Sequence, residues 1–260
     1  MPPADVAAAL ERLDALTRRL RVECPWDREQ DERTIVPHTV EEAYELADAA
    51  QRRDDAKLLD ELGDVLFQVH FLSLLLEERG AGSLADVAEH TRQKLIRRHP
   101  HVFGDVEVDH AGEVLRNWDA IKRTESGREP GIFGDVPETL PGPLYARKVQ
   151  RRVASTGFDV DDVPYDAVSG QLERVEQAGE DRDAQFAAVG DLLFAAVNVA
   201  RKLKVDPELA LRASSARFRA TVEDAERLAA ADGADWQDLA PERQLGYYAQ
   251  ARLRQEEPDE

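Results

Sequence analysis

The sequence predicts an all-α fold, and three observations carry that expectation. Apolar residues recur at helical spacing along almost the whole chain. Strand-like alternation is nearly absent, and β-branched residues are scarce outside short runs. With 260 residues, the chain suits one large domain or two of roughly 100–150 residues.

The first expected helix, near 4–21, is amphipathic and studded with charges, and lacks the unbroken apolar core of a signal peptide. The second, near 38–52, carries TVEEAYELADA, with Leu46 and Ala49 on an inner face. Glu41 and Glu45 are four residues apart in it, and Glu42 and Glu45 three. QRRDD then reads as a turn into a third helix, near 55–79. There Leu58, Leu62, Val65, Leu66, Val69, Leu72 and Leu76 form an apolar stripe, and Phe67, Phe71 and Leu74 cover the far side. A helix apolar all round is buried in a bundle or at a subunit contact. Glu61 and Asp64 sit together on the flank of this stripe, which places them at the mouth of a packed core. Helices near 83–98 and 110–124 complete the first half.

Residues 125–143, ESGREPGIFGDVPETLPGP, are crowded with Gly and Pro and read as a linker between domains at 1–124 and 144–260. Helices near 143–154, 163–178, 182–203, 207–231 and 241–255 follow. The halves echo one another. Trp26 and Phe158 are 132 residues apart, Asp64 and Asp191 127, and Trp118 and Tyr248 130. Three anchors in one order at nearly one spacing indicate an internal duplication.

The formal net charge of −19 argues against a nucleic-acid backbone as partner, because phosphate binding needs a basic footprint. Cys24 is the only cysteine, so no intrachain disulfide forms, which suits a cytoplasmic protein. No run approaches the ~18 apolar residues of a membrane span.

Antiparallel packing of the second and third helices would bring Glu42, Glu45, Glu61 and Asp64 together. Four carboxylates in one place cannot all stay ionised without a cation. Oxygen ligands without His or Cys suit Mg²⁺ or Mn²⁺, and Mg²⁺ typically bridges to substrate phosphates. An E-E-x-x-E run in a chain with 53 acidic residues is, taken alone, more often a solvated helix face. Its pairing with Glu61 and Asp64 beside an apolar helix argues for a site. Lys94 and Arg98, four apart in KLIRR, and Lys122 are candidate phosphate clamps, or a solvated basic helix end. Trp118 is a candidate for stacking on a base, or a core residue. Trp26 and Asp27 shape a pocket or form a structural turn. His99 and His101 lack a third metal ligand and read as structural.

EExxE at 41–45 followed by ExxD at 61–64 resembles the signature of the MazG family, within the all-α nucleoside triphosphate pyrophosphohydrolases. CPWD at 24–27, RRHPHVF at 97–103 and the W-x-x-x-K of Trp118 and Lys122 extend the resemblance to the full-length, two-domain form. It implies tandem helical-bundle domains of that type, a homodimer, and Mg²⁺-dependent hydrolysis of nucleoside triphosphates to monophosphate and pyrophosphate. It adds Glu41 to the metal ligands, names Glu42, Glu45, Glu61 and Asp64 as catalytic, and assigns Trp26, Lys94, Arg98, Trp118 and Lys122 to substrate. The second half departs from the pattern. Leu172 replaces the first Glu, Glu173 and Glu176 match Glu42 and Glu45, Ala188 replaces Glu61, and Asp191 matches Asp64. Arg217 stands for Lys94, Thr221 replaces Arg98, and Tyr248 and Arg252 replace Trp118 and Lys122. Catalysis is therefore expected in residues 1–124. The rival expectations are a catalytically silent helical module that binds nucleotides or proteins, and a di-metal oxidase. The latter is weakened by a lone E-x-x-H, Glu107 to His110.

Overall fold

In the computed structural model, residues 5–125, 131–134 and 136–256 are described. They are helical throughout their regular structure, with no strand among them. Residues 1–126 and 127–260 form separate compact units. Part of the expected linker, residues 126–130 and 135, lies outside the described residues.

The first unit contains α1 (Val6–Glu23), α2 (Pro25–Glu29), α3 (Glu32–Arg52), α4 (Asp55–Glu78), α5 (Leu84–Arg98), α6 (Pro100–Phe103) and α7 (Ala111–Thr124). The ends follow local chemistry. Asp5 caps α1, Asp54 caps α4 and Ser83 caps α5, each accepting from backbone N–H groups of the first turn. Arg53 takes the left-handed conformation, φ 56°, and turns the chain from α3 into α4.

The helix expected near 38–52 starts six residues earlier, at Glu32. Asp31 and Thr34 form a reciprocal capping box that nucleates it. Pro37 then lies inside the helix, where its missing N–H costs one bond without ending it. Elsewhere the expected helix ends hold to within two residues. The short helices α2 and α6 begin at Pro25 and Pro100, where a fixed φ and an absent N–H suit a first turn.

The hairpin of α3 and α4 is the centre of this unit, with α1 and α5 also packed on α4. Ile35, Phe71 and Leu75 are buried together, and Phe67 and Leu72 pack on them. The stripe expected to face inward is divided. Its members Leu62, Leu66 and Val69 are 38–51% exposed, with Leu59 beside them at 75%, and the buried face of α4 instead runs Glu61, Gln68, Phe71, Leu75. Glu61 belongs to that interior and Asp64 does not.

The second unit holds α8 (Gly142–Ala154), α9 (Tyr165–Gln177), α10 (Arg182–Lys202), α11 (Pro207–Ala231), a 3-10 turn at Trp236–Asp238 and α12 (Pro241–Glu256). Helix α10 packs on α8 and α9, and α11 on α12. One core cluster of this unit sets three alanines around a tyrosine. Ala225, Ala229, Tyr247 and Ala251 are buried, with Trp236 against them, and Tyr247 donates a 2.9 Å hydrogen bond to Asp232. By length and composition α10 is also apolar enough to cross a membrane, contrary to the expectation that no segment is. Asp191 nonetheless sits at its middle.

Candidate functional site

Two of the site's helices come from the α3–α4 hairpin. Glu42 and Glu45 lie three residues apart on one face of α3, and Glu61 lies on the facing side of α4. One carboxylate oxygen from each of Glu42, Glu45 and Glu61 lies within 4.8 Å of the others. No second such grouping of metal-ligating side chains occurs among the described residues.

The three differ in exposure. Glu61 is 1% exposed, Glu42 is half-buried and Glu45 is exposed. Burial raises the Glu42 pKa, and the charges of Asp64, Glu45 and Glu61 raise it further. Lys57, one turn before Glu61, places its ammonium against the Glu61 carboxylate and 3.8 Å from Glu45. No well-aligned hydrogen bond reaches either oxygen of Glu61. A fully buried carboxylate beside two more carboxylates, with a single lysine ammonium to offset three charges, fits an all-oxygen divalent cation site. Lys57 escaped the sequence reading. The signal was its i,i+4 spacing to Glu61, which looks the same on any exposed helix.

The outer members of the motif stand apart from the trio. Glu41 is exposed and faces His38, with Oε2 3.8 Å from Nδ1. Asp64 is exposed, and its charge acts on Glu42.

A second group forms where α5 meets α7. The Arg98 guanidinium lies over the Trp118 ring, 5.3 Å from its centroid, and His99 meets the same ring edge-on at 4.9 Å. Arg98 donates to both oxygens of Glu125, which also accepts from Arg97. Lys94 is half-buried one turn before Arg98, and Lys122 is half-buried one turn after Trp118. His99 and His101 are ring neighbours at 5.5 Å. Cys24 is half-buried between α1 and α2.

The hydrogen bonds from Arg98, and less strongly from Arg97, hold the Glu125 carboxyl down at about 2. A depressed carboxylate stabilises the fold above its ordinary pKa, and this contribution is lost as pH falls toward the folded value. Glu125→Gln is therefore expected to destabilise the first unit by about 1–3 kcal/mol at pH 7. Urea melts should show the gap to wild type closing between pH about 4.5 and about 2. A gap that is independent of pH contradicts the charged clasp.

In the second unit, Ala188 is buried at the place that corresponds to Glu61, while Glu173, Glu176 and Asp191 are exposed. An interior methyl group there offers no ligand.

Residues 30–103, which span α3 to α6, match the model of the MazG nucleotide pyrophosphohydrolase domain. A nucleoside triphosphate pyrophosphohydrolase of Escherichia coli (strain K12) is 39% identical over 235 residues, covering 86% of this chain and 89% of the relative. A nucleoside triphosphate pyrophosphohydrolase/pyrophosphatase MazG of Thermotoga maritima is 36% identical over 247 residues, 93% of this chain and 95% of the relative. The uncharacterized protein YabN of Bacillus subtilis is 37% identical over 225 residues, 84% of this chain and 46% of the relative.

Proposed function

The chain belongs to the MazG family of nucleotide pyrophosphohydrolases, and from that premise we propose that its first unit hydrolyses nucleoside triphosphates, ribo or deoxyribo, to the monophosphate and pyrophosphate. Such an enzyme would clear the nucleotide pool in the cytoplasm. The observation that carries the reading is the buried Glu61 carboxylate, paired with one lysine and within reach of Glu42 and Glu45.

Mg²⁺, or Mn²⁺ in its place, would be held by Glu42, Glu45 and Glu61, with Asp64 and Glu41 at the margin, and when bound supplies polarisation of the phosphoryl group and charge for the departing pyrophosphate. The chain's own residues do the rest. Glu61 is fixed by burial, so its position is set before substrate arrives. Glu42, half-buried beside Glu61, is read as the proton acceptor for the attacking water. Lys57 offsets the trio while substrate is absent, and its half-exposed stem lets the ammonium swing toward a phosphate. Lys94 and Lys122 are the candidate cations for the polyphosphate, while Arg98, held by Glu125 and lying over Trp118, ties α5 to the end of α7.

The second unit is read as a duplicated and degenerate copy that keeps the helices and has lost the ligands, Ala188 being the clearest loss. A homodimer is supported by the exposed Leu59, Leu62, Leu66 and Val69, which share one side of α4. Leu62→Glu is expected to shift sedimentation toward the monomer, and an unchanged profile would remove that support. The charge of −19 argues against nucleic acid or an anionic membrane surface as partner, and a nucleoside triphosphate stays compatible with it because a bound cation reverses the local sign.

Product analysis tests the reaction. A panel of NTPs and dNTPs with Mg²⁺ should release pyrophosphate and monophosphate in equal amounts. Release of diphosphate and inorganic phosphate, or binding without turnover, would overturn it, and the second outcome would favour a silent nucleotide-binding module.

A further inference from the structure

Lys57 stands in the first turn of α4, and its backbone N–H donates to the Asp54 cap. A cation there faces the positive end of the helix dipole, where acidic residues are the stabilising choice. Its partner Glu61 comes four residues later, and a lysine ahead of a glutamate is the weaker order for such a pair. Helix stability therefore does not account for this lysine. About half of its side chain stays in water, while its ammonium is set against the buried Glu61 carboxylate.

The ammonium reaches beyond that pair. It lies 3.8 Å from Glu45 on α3 and 3.8 Å from Asp60. Glu45 and Glu61 are two of the three carboxylates whose oxygens lie within 4.8 Å of one another, so Lys57 bridges α3 and α4 where a divalent ion would. The second unit offers an internal comparison. The spacing of 127 that pairs Glu61 with Ala188 pairs Lys57 with Ala184. The half that lacks the buried carboxylate lacks the lysine too.

We propose that Lys57 is a resident counter-ion that keeps the carboxylates closed to free Mg²⁺ and yields to Mg²⁺ presented with a triphosphate. The proposal rests on the cation-site reading given above. Against free Mg²⁺ the ammonium must leave Glu61 with no new anion to receive it, so the free ion binds weakly. A triphosphate brings anionic oxygens that accept the displaced ammonium, and the flexible four-carbon stem follows them. Metal and nucleotide then load together, each raising the affinity for the other.

Mn²⁺ titrations followed by electron paramagnetic resonance, with and without a non-hydrolysable ATP analogue, test it. Without nucleotide, Lys57→Gln should bind Mn²⁺ roughly 10-fold or more tightly than wild type, the scale of one screened unit charge removed at contact distance. Lys57→Arg keeps the charge and should stay close to wild type. Arg79→Gln removes the same charge about 27 Å along α4 from Glu61 and should also stay close. The analogue should tighten Mn²⁺ binding strongly in wild type and much less in Lys57→Gln. The proposal is overturned if Lys57→Gln binds Mn²⁺ alone no more tightly than wild type, if Arg79→Gln gains as much, or if the analogue tightens both proteins equally. Glu61→Gln separates the two readings. Lost Mn²⁺ binding in Glu61→Gln with no gain in Lys57→Gln removes the lysine's part and leaves the cation site standing. Wild-type binding by Glu61→Gln removes the cation site, and the proposal with it.

Discussion

Glu61→Gln is expected to lower Mg²⁺-dependent turnover of nucleoside triphosphates by roughly a thousandfold or more, since it removes the one buried ligand of the cation site. The same substitution is expected to raise the melting temperature of the metal-free protein. Glu61 is a buried anion without an aligned hydrogen bond, and its charge raises the pKa of Glu42. A carboxyl whose folded pKa lies above its unfolded value costs stability as pH rises past the ordinary carboxylate range, because the folded state then holds the extra proton. Neutralising Glu61 relieves that repulsion at neutral pH. Lys57 loses a partner, but its side chain is 49% exposed and the loss is small. An inactive but more stable variant separates loss of chemistry from loss of fold. Asp191→Asn should leave turnover at the wild-type level. Loss of activity on Asp191→Asn alone would move the site to the second unit.

The largest stability effect is expected at Phe71. Its side chain is fully buried among Ile35 and Leu75, with the Phe67 ring at 5.9 Å and the Arg21 guanidinium 5.8 Å from its centroid. Phe71→Ala leaves a cavity where α3 and α4 meet and should cost about 3–5 kcal/mol in chemical denaturation. The substitution also loosens the hairpin that sets the distance between Glu42 and Glu61, so turnover should fall well below the denaturation midpoint. Phe71→Leu, which fills most of the space, should recover much of both losses. A cost under about 1 kcal/mol would mean that the hairpin is held from elsewhere.

Much of this was legible in the sequence, for reasons that differ by residue. The long helices followed from apolar period, while the short α2 and α6 did not; of the four carboxylates expected to converge, Glu42, Glu45 and Glu61 do so, and Asp64 is left exposed. Ala188 stands buried at the position that the two-half alignment of the sequence pairs with Glu61. What failed was orientation. Helix α4 is apolar on every side, so its own pattern cannot say which face goes in. That is decided by its partners, and Phe71 and Leu75 point at Ile35 while Leu62 and Leu66 are left outside. The start of α3 was hidden by Pro37, which reads as a stop when the capping box six residues earlier is overlooked. The rings of Trp26 and His38 meet edge-on at 5.8 Å although the residues are twelve apart across an irregular turn, and no periodicity joins them.

The central claim is that Glu42, Glu45 and Glu61 hold a divalent ion against a polyphosphate. Mn²⁺ binding, followed by electron paramagnetic resonance in the presence of a non-hydrolysable nucleoside triphosphate, tests it most directly. Wild type and Asp191→Asn should bind Mn²⁺ with the same stoichiometry and affinity, and Glu61→Gln should lose it. Unchanged Mn²⁺ binding by Glu61→Gln would contradict the account.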